Sequence, residues 1–120
     1  MERMLLYTHF NKLNQVSNHI FYQLTQLKPL FSTIIFISNS PLKKDDKTKL
    51  QKELDIEIVI ERNNIGFDFA AWRDGMQYIG FDKIKDYDSL TIMNDTCFGP
   101  LWDLRSMKML KKIKQLIFGE

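Results

Sequence analysis

Two stretches of this 120-residue sequence combine amide, glycine and carboxylate residues in a pattern that could bind a ligand. The first is Asn63–Trp72 and the second is Met93–Pro100. Each comes at the end of, or directly after, an apolar run that is typical of a strand. Ligands of an open α/β sheet bind in the crevice beyond the carboxyl ends of its strands. Both stretches are therefore candidates for a binding site.

In the first stretch, Gly66 permits a positive φ and the close approach of a ligand. Asp68 falls in the first turn of a predicted helix, where free N–H groups and the helix dipole favour an acceptor or an anion. Local sequence alone favours a strand-to-helix turn in which Asp68 is a cap or first-turn acid. The alternative is a site whose amides and carboxylate hold the hydroxyl groups of a sugar or ribose.

In the second stretch, Asn94 and Asp95 follow a predicted buried strand. A carboxylate there could bind a hard divalent cation such as Mg²⁺ or Mn²⁺, which prefers oxygen ligands. Such a cation would stabilise the charge on a departing diphosphate. The alternative is an Asx-turn in which these side chains bond their own backbone. The residues leave both interpretations open.

Other candidates are weaker. His9, at the end of the first predicted strand, could face the crevice. Cys97 is the single cysteine and lacks an evident partner for nucleophilic chemistry. The sequence contains no zinc-type Cys/His spacing, no GxGxxG and no P-loop.

A basic helical face near the C-terminus suggests a second kind of surface. Together with neighbouring apolar residues it could contact an anionic membrane. Its lysines are Lys108, Lys111, Lys112 and Lys114, and the apolar residues are Met109, Leu110, Ile113 and Ile117.

The elements that would position these residues alternate along the chain. Continuous apolar runs predict strands that are covered on both faces, and apolar spacing of three and four predicts helices. The third strand is expected near a sheet edge. This order predicts an α/β fold with a mainly parallel sheet. The strands are predicted at 4–10, 33–38, 56–61 and 89–93, and the helices at 16–27, 43–54, 69–79 and 101–118, with 115–118 alternatively starting another strand.

Composition limits the classes of function. The chain has 17 basic and 15 acidic residues, a net charge of +2, which gives no indication of nucleic-acid binding. One cysteine fits a reducing compartment, and no run approaches the roughly 18–20 apolar residues of a membrane span. The N-terminus also lacks the features of a signal peptide. We expect a single α/β domain, residues 1–120, in the cytoplasm.

From about Leu5 to Leu104 the sequence resembles the rhamnan synthesis F family, which contains bacterial proteins of cell-wall and surface rhamnose-polysaccharide assembly. The segments that carry the resemblance are Thr8–Phe10, Ser38–Leu42, Arg62–Trp72 and Tyr87–Leu101. It implies the N-terminal, Rossmann-like nucleotide-binding half of a GT-A glycosyltransferase. The implied reaction transfers L-rhamnose from dTDP-L-rhamnose to a lipid-linked polysaccharide acceptor, at the inner face of the membrane.

The resemblance also implies roles for individual residues. Asp95 would hold the divalent cation, but Thr96 stands where the family's acidic motif usually has a second aspartate, which leaves metal dependence open. The implied donor-binding residues are His9, Asn39, Asn64, Gly66, Asp68 and Asn94.

Enzymes of the GT-A type place the acceptor site and the general base after the acidic motif. Because the sequence ends soon after Asp95, we expect a truncated glycosyltransferase domain that does not turn over alone. The alternative is a non-catalytic remnant or interaction module that forms a homodimer or binds a companion chain. A flavodoxin-like or receiver domain is disfavoured, since Tyr7–Asn11 supplies no pair of acids after the first strand.

Overall fold

A computed structural model describes residues 2–10, 13–56, 58–62, 67–94 and 98–119, and the side chains among them other than those of 67–69 and 98–102. A 3₁₀ turn at Lys28–Leu30 and a π-helical turn at Lys49–Glu53 accompany the regular elements. In chain order these elements are β1 (Arg3–His9), α1 (Asn18–Leu27), β2 (Thr33–Ser38), α2 (Lys44–Thr48), β3 (Ile58–Glu61), α3 (Phe67–Ile79), α4 (Phe81–Ile84), β4 (Ser89–Asn94), β5 (Phe98–Asp103) and α5 (Met107–Phe118).

The strands form one sheet in the order β3-β2-β1-β4-β5. The first four are parallel, and β5 is antiparallel to β4. This arrangement confirms the predicted α/β, Rossmann-like fold with a mainly parallel sheet. It also confirms that β3 lies at an edge.

The central strands are covered on both faces. On β1, Leu5 and Tyr7 join a core cluster with residues of α1, whereas Met4 and Leu6 join a cluster with residues of α3 and α5. All four side chains are buried. Because successive side chains of a strand point to opposite faces, a strand covered twice must be apolar throughout. Coverage on both faces therefore explains the continuous apolar runs of the sequence.

Helix ends follow the local signals. The α-helical hydrogen bonding of α1 ends at Leu27, and Pro29 lies in the 3₁₀ turn that follows. A proline ring fixes φ and removes a backbone donor, so it disfavours continuation of an α-helix. Helix α3 ends at Ile79, directly before Gly80, whose φ is 92°. Both ends agree with the sequence-based predictions.

The predicted helix from Leu101 onward is wrong in its first part. Phe98–Asp103 forms β5, an edge strand that accommodates Pro100, since an edge position tolerates a residue without an N–H group. The helix begins only at Met107, where the Ser106 Oγ accepts a hydrogen bond from the Met109 N–H at 3.3 Å. Residues 115–118 belong to this helix rather than to a strand. The short helix α4 lies in a stretch for which neither a helix nor a strand was predicted.

Candidate functional site

The carboxyl ends of the four parallel strands lie along one edge of the sheet. In the strand register, His9 is opposite Ser38, Ser38 is opposite Glu61, and Thr8 is opposite Asn94. From β1 the chain passes to β2 on one side, and β4 pairs with β1 on the other side. The order of strands therefore reverses between β1 and β4, which is the position where open α/β sheets bind ligands.

His9 is deeply placed at this edge. It is 1% exposed, its Nδ1 lies 3.3 Å from the Ser38 Oγ, and its ring centroid lies 5.5 Å from that of Phe36. The ring thus packs inside the sheet edge and shares a hydrogen bond with β2. Any contact between His9 and a ligand would be made from a buried position.

A compact turn follows β2. The Ser38 Oγ donates to the Ser40 carbonyl oxygen at 2.6 Å, and the Ser40 N–H lies 3.3 Å from the same Oγ. The Asn39 N–H donates to the His9 carbonyl oxygen at 2.7 Å. These hydrogen bonds hold Asn39 against the end of β1.

Arg62 joins this turn to helix α3. Its backbone N–H donates to the Ser38 carbonyl oxygen at 2.9 Å, and its Nη1 donates to the Asn39 Oδ1. Its Nε donates to the Asp74 Oδ2 at 2.8 Å. The Arg62 side chain is 12% exposed and that of Asp74 is 41% exposed. A guanidinium is therefore held between a neutral amide in the turn after β2 and a carboxylate of α3.

Sequence reasoning had not assigned Arg62 or Asp74 to the site. Arg62 directly follows β3, so the rule that selected polar residues after the other strands would have selected it as well. Asp74 carries no such signal, because it lies in the middle of a helix. Only the packing of α3 beside the strand ends brings it to Arg62.

Asn94 is the last residue of β4 and is half-buried. Beside it, the Thr8 Oγ1 donates to the Met93 carbonyl oxygen at 3.4 Å, which links the ends of β1 and β4. Asp68 is the second residue of α3, in the first helical turn as expected, and its side chain lies outside the described part of the structure.

The remaining expected site residues, Asn64, Gly66 and Asp95, lie outside the described residues. Within the described ranges, the structure contains no group of three or more His, Cys, Asp or Glu residues that could hold a metal ion. The cation expected at Asp95 thus stays a prediction.

Clefts also lie away from the carboxyl edge. A cleft of about 400 Å³ at the opposite edge is lined in part by Arg3, Ser89, Asp103 and Arg105. Its rim carries an exposed ion pair in which the Arg105 Nε donates to the Asp103 Oδ1 at 3.0 Å. Hydrogen bonds from Arg105 lower the pKa of Asp103. We place the candidate site by the strand ends rather than by cleft volume, because ligands of parallel sheets bind at carboxyl ends.

The apolar side of α5 faces the core. Ile113 and Ile117 are buried, and Met109 and Leu110 pack against the same cluster. Ile113 and Ile117 already cover the sheet and are not available to a membrane, and the expected membrane contact of this helix stays a prediction. Among the described residues, no helix is long and apolar enough to cross a membrane.

Comparison with known proteins identifies a family that the chain matches. A family model described as rhamnan synthesis protein F matches residues 34–116. The match lies in the C-terminal part of the chain. It begins at Ile34 rather than near Leu5, which corrects the expected start of the resemblance and leaves strand β1 outside the match. No solved structure matches the chain.

A curated relative gives a second comparison. The chain is 32% identical over 82 residues to the uncharacterized protein y4gN of Sinorhizobium fredii, an alignment that covers 68% of this chain and 21% of that protein. The aligned part is thus about a fifth of the relative's length. The family's description indicates a role in the synthesis of rhamnan, a polysaccharide. Because the family match covers more than half of the sequence, the chain belongs to the rhamnan synthesis protein F family.

Proposed function

We propose that this domain binds the nucleotide-sugar donor, dTDP-L-rhamnose, of a glycosyltransferase that builds a bacterial rhamnose polysaccharide. The observation that carries the proposal is the position of His9, Asn39 and Asn94 at the carboxyl ends of three neighbouring parallel strands. These ends flank the point where the strand order reverses, and family membership supplies the polysaccharide context.

The residues offer complementary groups for such a donor. Asn39 and Asn94 supply amides that hydrogen-bond bases or sugar hydroxyls, and neither carries a charge that would need neutralising when buried. Asp68, in the first turn of α3, would accept from sugar hydroxyls. In this proposal, Asn64 and Gly66 line the binding site of the same nucleotide sugar.

A divalent cation would be held by Asp95, which follows Asn94 in the sequence. When bound, Mg²⁺ or Mn²⁺ would neutralise the diphosphate of the leaving nucleotide. The acceptor would be a lipid-linked polysaccharide, so the domain would work at the inner face of the membrane. Exposed lysines of α5, rather than its buried apolar side, would then make the membrane contact.

Thermal unfolding with and without ligand tests the donor site. A ligand at ten times its Kd stabilises the native state by about 1.4 kcal/mol, which should raise the Tm by roughly 5 °C for a domain of this size. We expect this shift with dTDP-L-rhamnose and Mn²⁺ or Mg²⁺. Asp95→Asn should reduce the shift, whereas the control Asp103→Asn, at the opposite edge of the sheet, should leave it unchanged.

Absence of any shift with nucleotide sugars at millimolar concentration would contradict the proposal. Under that outcome, a dimer detected by light scattering would favour the alternative of a non-catalytic interaction module. A Tm shift that persists in Asp95→Asn and in the presence of EDTA would support donor binding and contradict the metal site.

A further inference from the structure

Arg62 determines how the side-chain amide of Asn39 is oriented. A guanidinium has donors only, so the atom of Asn39 that meets the Arg62 Nη1 must be the amide oxygen. The Arg62 Nε is at the same time bonded to the Asp74 Oδ2 at 2.8 Å. With its oxygen committed to Arg62, the amide of Asn39 presents Nδ2, a donor, on its other side.

This donor is available for a ligand. Asn39 is 5% exposed, and its backbone N–H is already bonded to the His9 carbonyl oxygen. No described residue accepts a hydrogen bond from its Nδ2. Among the described residues, Nδ2 is also not one of the polar atoms that are closed off from solvent and lack a hydrogen-bond partner. A donor in so confined a position gains most from an acceptor that enters with the ligand.

The surrounding charges favour a neutral acceptor. The Arg62 charge already has a carboxylate partner in Asp74, so a phosphate group would have to compete with that ion pair. A single amide N–H suits a carbonyl oxygen of a nucleotide base. The base of the proposed nucleotide sugar carries carbonyl groups of this kind.

We propose that Arg62 is a positioning residue, held by Asp74, that fixes the Asn39 amide so that Nδ2 donates to a base carbonyl oxygen of the bound nucleotide. The proposal extends the donor-binding function proposed above and assumes it. Arg62 acts through Asn39 in this scheme and does not touch the ligand.

A double-mutant cycle measured by titration calorimetry with dTDP tests the coupling. Asn39→Ala should weaken dTDP binding about tenfold, the effect of one lost hydrogen bond. Arg62→Met should weaken it about threefold by releasing the amide, yet have no further effect in the Asn39→Ala background. Arg105→Met, the same substitution at the opposite edge of the sheet, is the control and should bind dTDP as the unmodified chain does.

The outcomes separate this inference from the donor-binding function. If the unmodified chain does not bind dTDP, the proposed function fails. If it binds and Arg62→Met is equally harmful with or without Asn39, a general structural effect explains Arg62 and the positioning role is overturned. Inorganic diphosphate, used as a competitor of dTDP, should bind Asn39→Ala with the same affinity as the unmodified chain. An equal loss for diphosphate would show that Asn39 binds the phosphates and would overturn the base contact.

Discussion

Helix α3, which carries Asp68 and Asp74, lies very close to the sheet at Gly75. A Cβ atom added at Gly75 would lie 2.5 Å from the Ile37 Cδ1 and 3.7 Å from the Leu6 Cδ2. Carbon atoms in contact are normally about 3.5–4.0 Å apart. Ile37 is fully buried, so its side chain has little room to move. We therefore predict that Gly75→Ala is destabilising although alanine is the better helix former.

The magnitude follows from two opposed effects. Alanine gains about 1 kcal/mol over glycine inside a helix, and overpacking of a core costs about 1–3 kcal/mol. Their difference is a net loss of about 1 kcal/mol for Gly75→Ala. Ile37→Val removes Cδ1 and should also cost about 1 kcal/mol by leaving a small cavity.

The double variant should be more stable than either single variant. The new methyl group at position 75 would occupy the space that Cδ1 leaves, so the overpacking and the cavity disappear together. Its stability should return to within about 0.5 kcal/mol of the original, whereas independent effects would sum to a loss of about 2 kcal/mol. The expected coupling is thus about 2 kcal/mol.

Urea unfolding of the four proteins measures this cycle, with the midpoint and the slope m fitted for each. Ile35→Val is the matched control, because Ile35 is buried on the same face of β2 but is not one of the nearest contacts of Gly75. Its effect should add to that of Gly75→Ala. The reasoning is refuted if Ile37→Val is also additive, or if Gly75→Ala alone stabilises the protein by the full helix-forming gain.

Two further predictions concern charge. Hydrogen bonds from Arg105 lower the pKa of folded Asp103 below the ordinary aspartate value of 3.8. Their stabilising effect is therefore present above pH 3.8 and is lost as pH falls through the folded pKa. Arg105→Met should therefore flatten the decline of urea stability below about pH 4, and equal slopes would contradict this. Replacing Lys108, Lys111 and Lys112 with glutamine should weaken the free energy of binding to anionic vesicles by up to roughly 3 kcal/mol at low salt. Co-sedimentation of the protein with the vesicles measures this binding. No binding to anionic vesicles by the unmodified chain would reject the membrane contact.

The strands and their place in the fold were largely predictable. Thr33–Ser38 is apolar and β-branched, and a strand of that composition fits a position between two layers of helices. The edge position of β3 followed from its alternation of apolar and acidic residues. Asn94 follows from the same reasoning, because polar residues at the end of a buried strand are predicted at the sheet edge.

The last third of the chain was harder to predict. Leu101 and Trp102 fit an apolar helical pattern equally well, and pairing with β4 places them in β5 instead. On α5, the apolar residues next to the lysines suggested a membrane surface, but the sheet takes up that side of the helix. Periodicity indicates that a helix has an apolar side and does not identify what covers it.

The sequence by itself determined the α/β class, the four parallel strands and the motifs that indicate a polysaccharide-synthesis family, because these depend on local period and residue type. The tertiary structure alone decided that Arg62 lies between Asn39 and Asp74, and that Gly75 lets α3 approach β2. These contacts join residues that are distant in the chain. Their geometry is set by how the helices pack on the sheet, which no local pattern encodes.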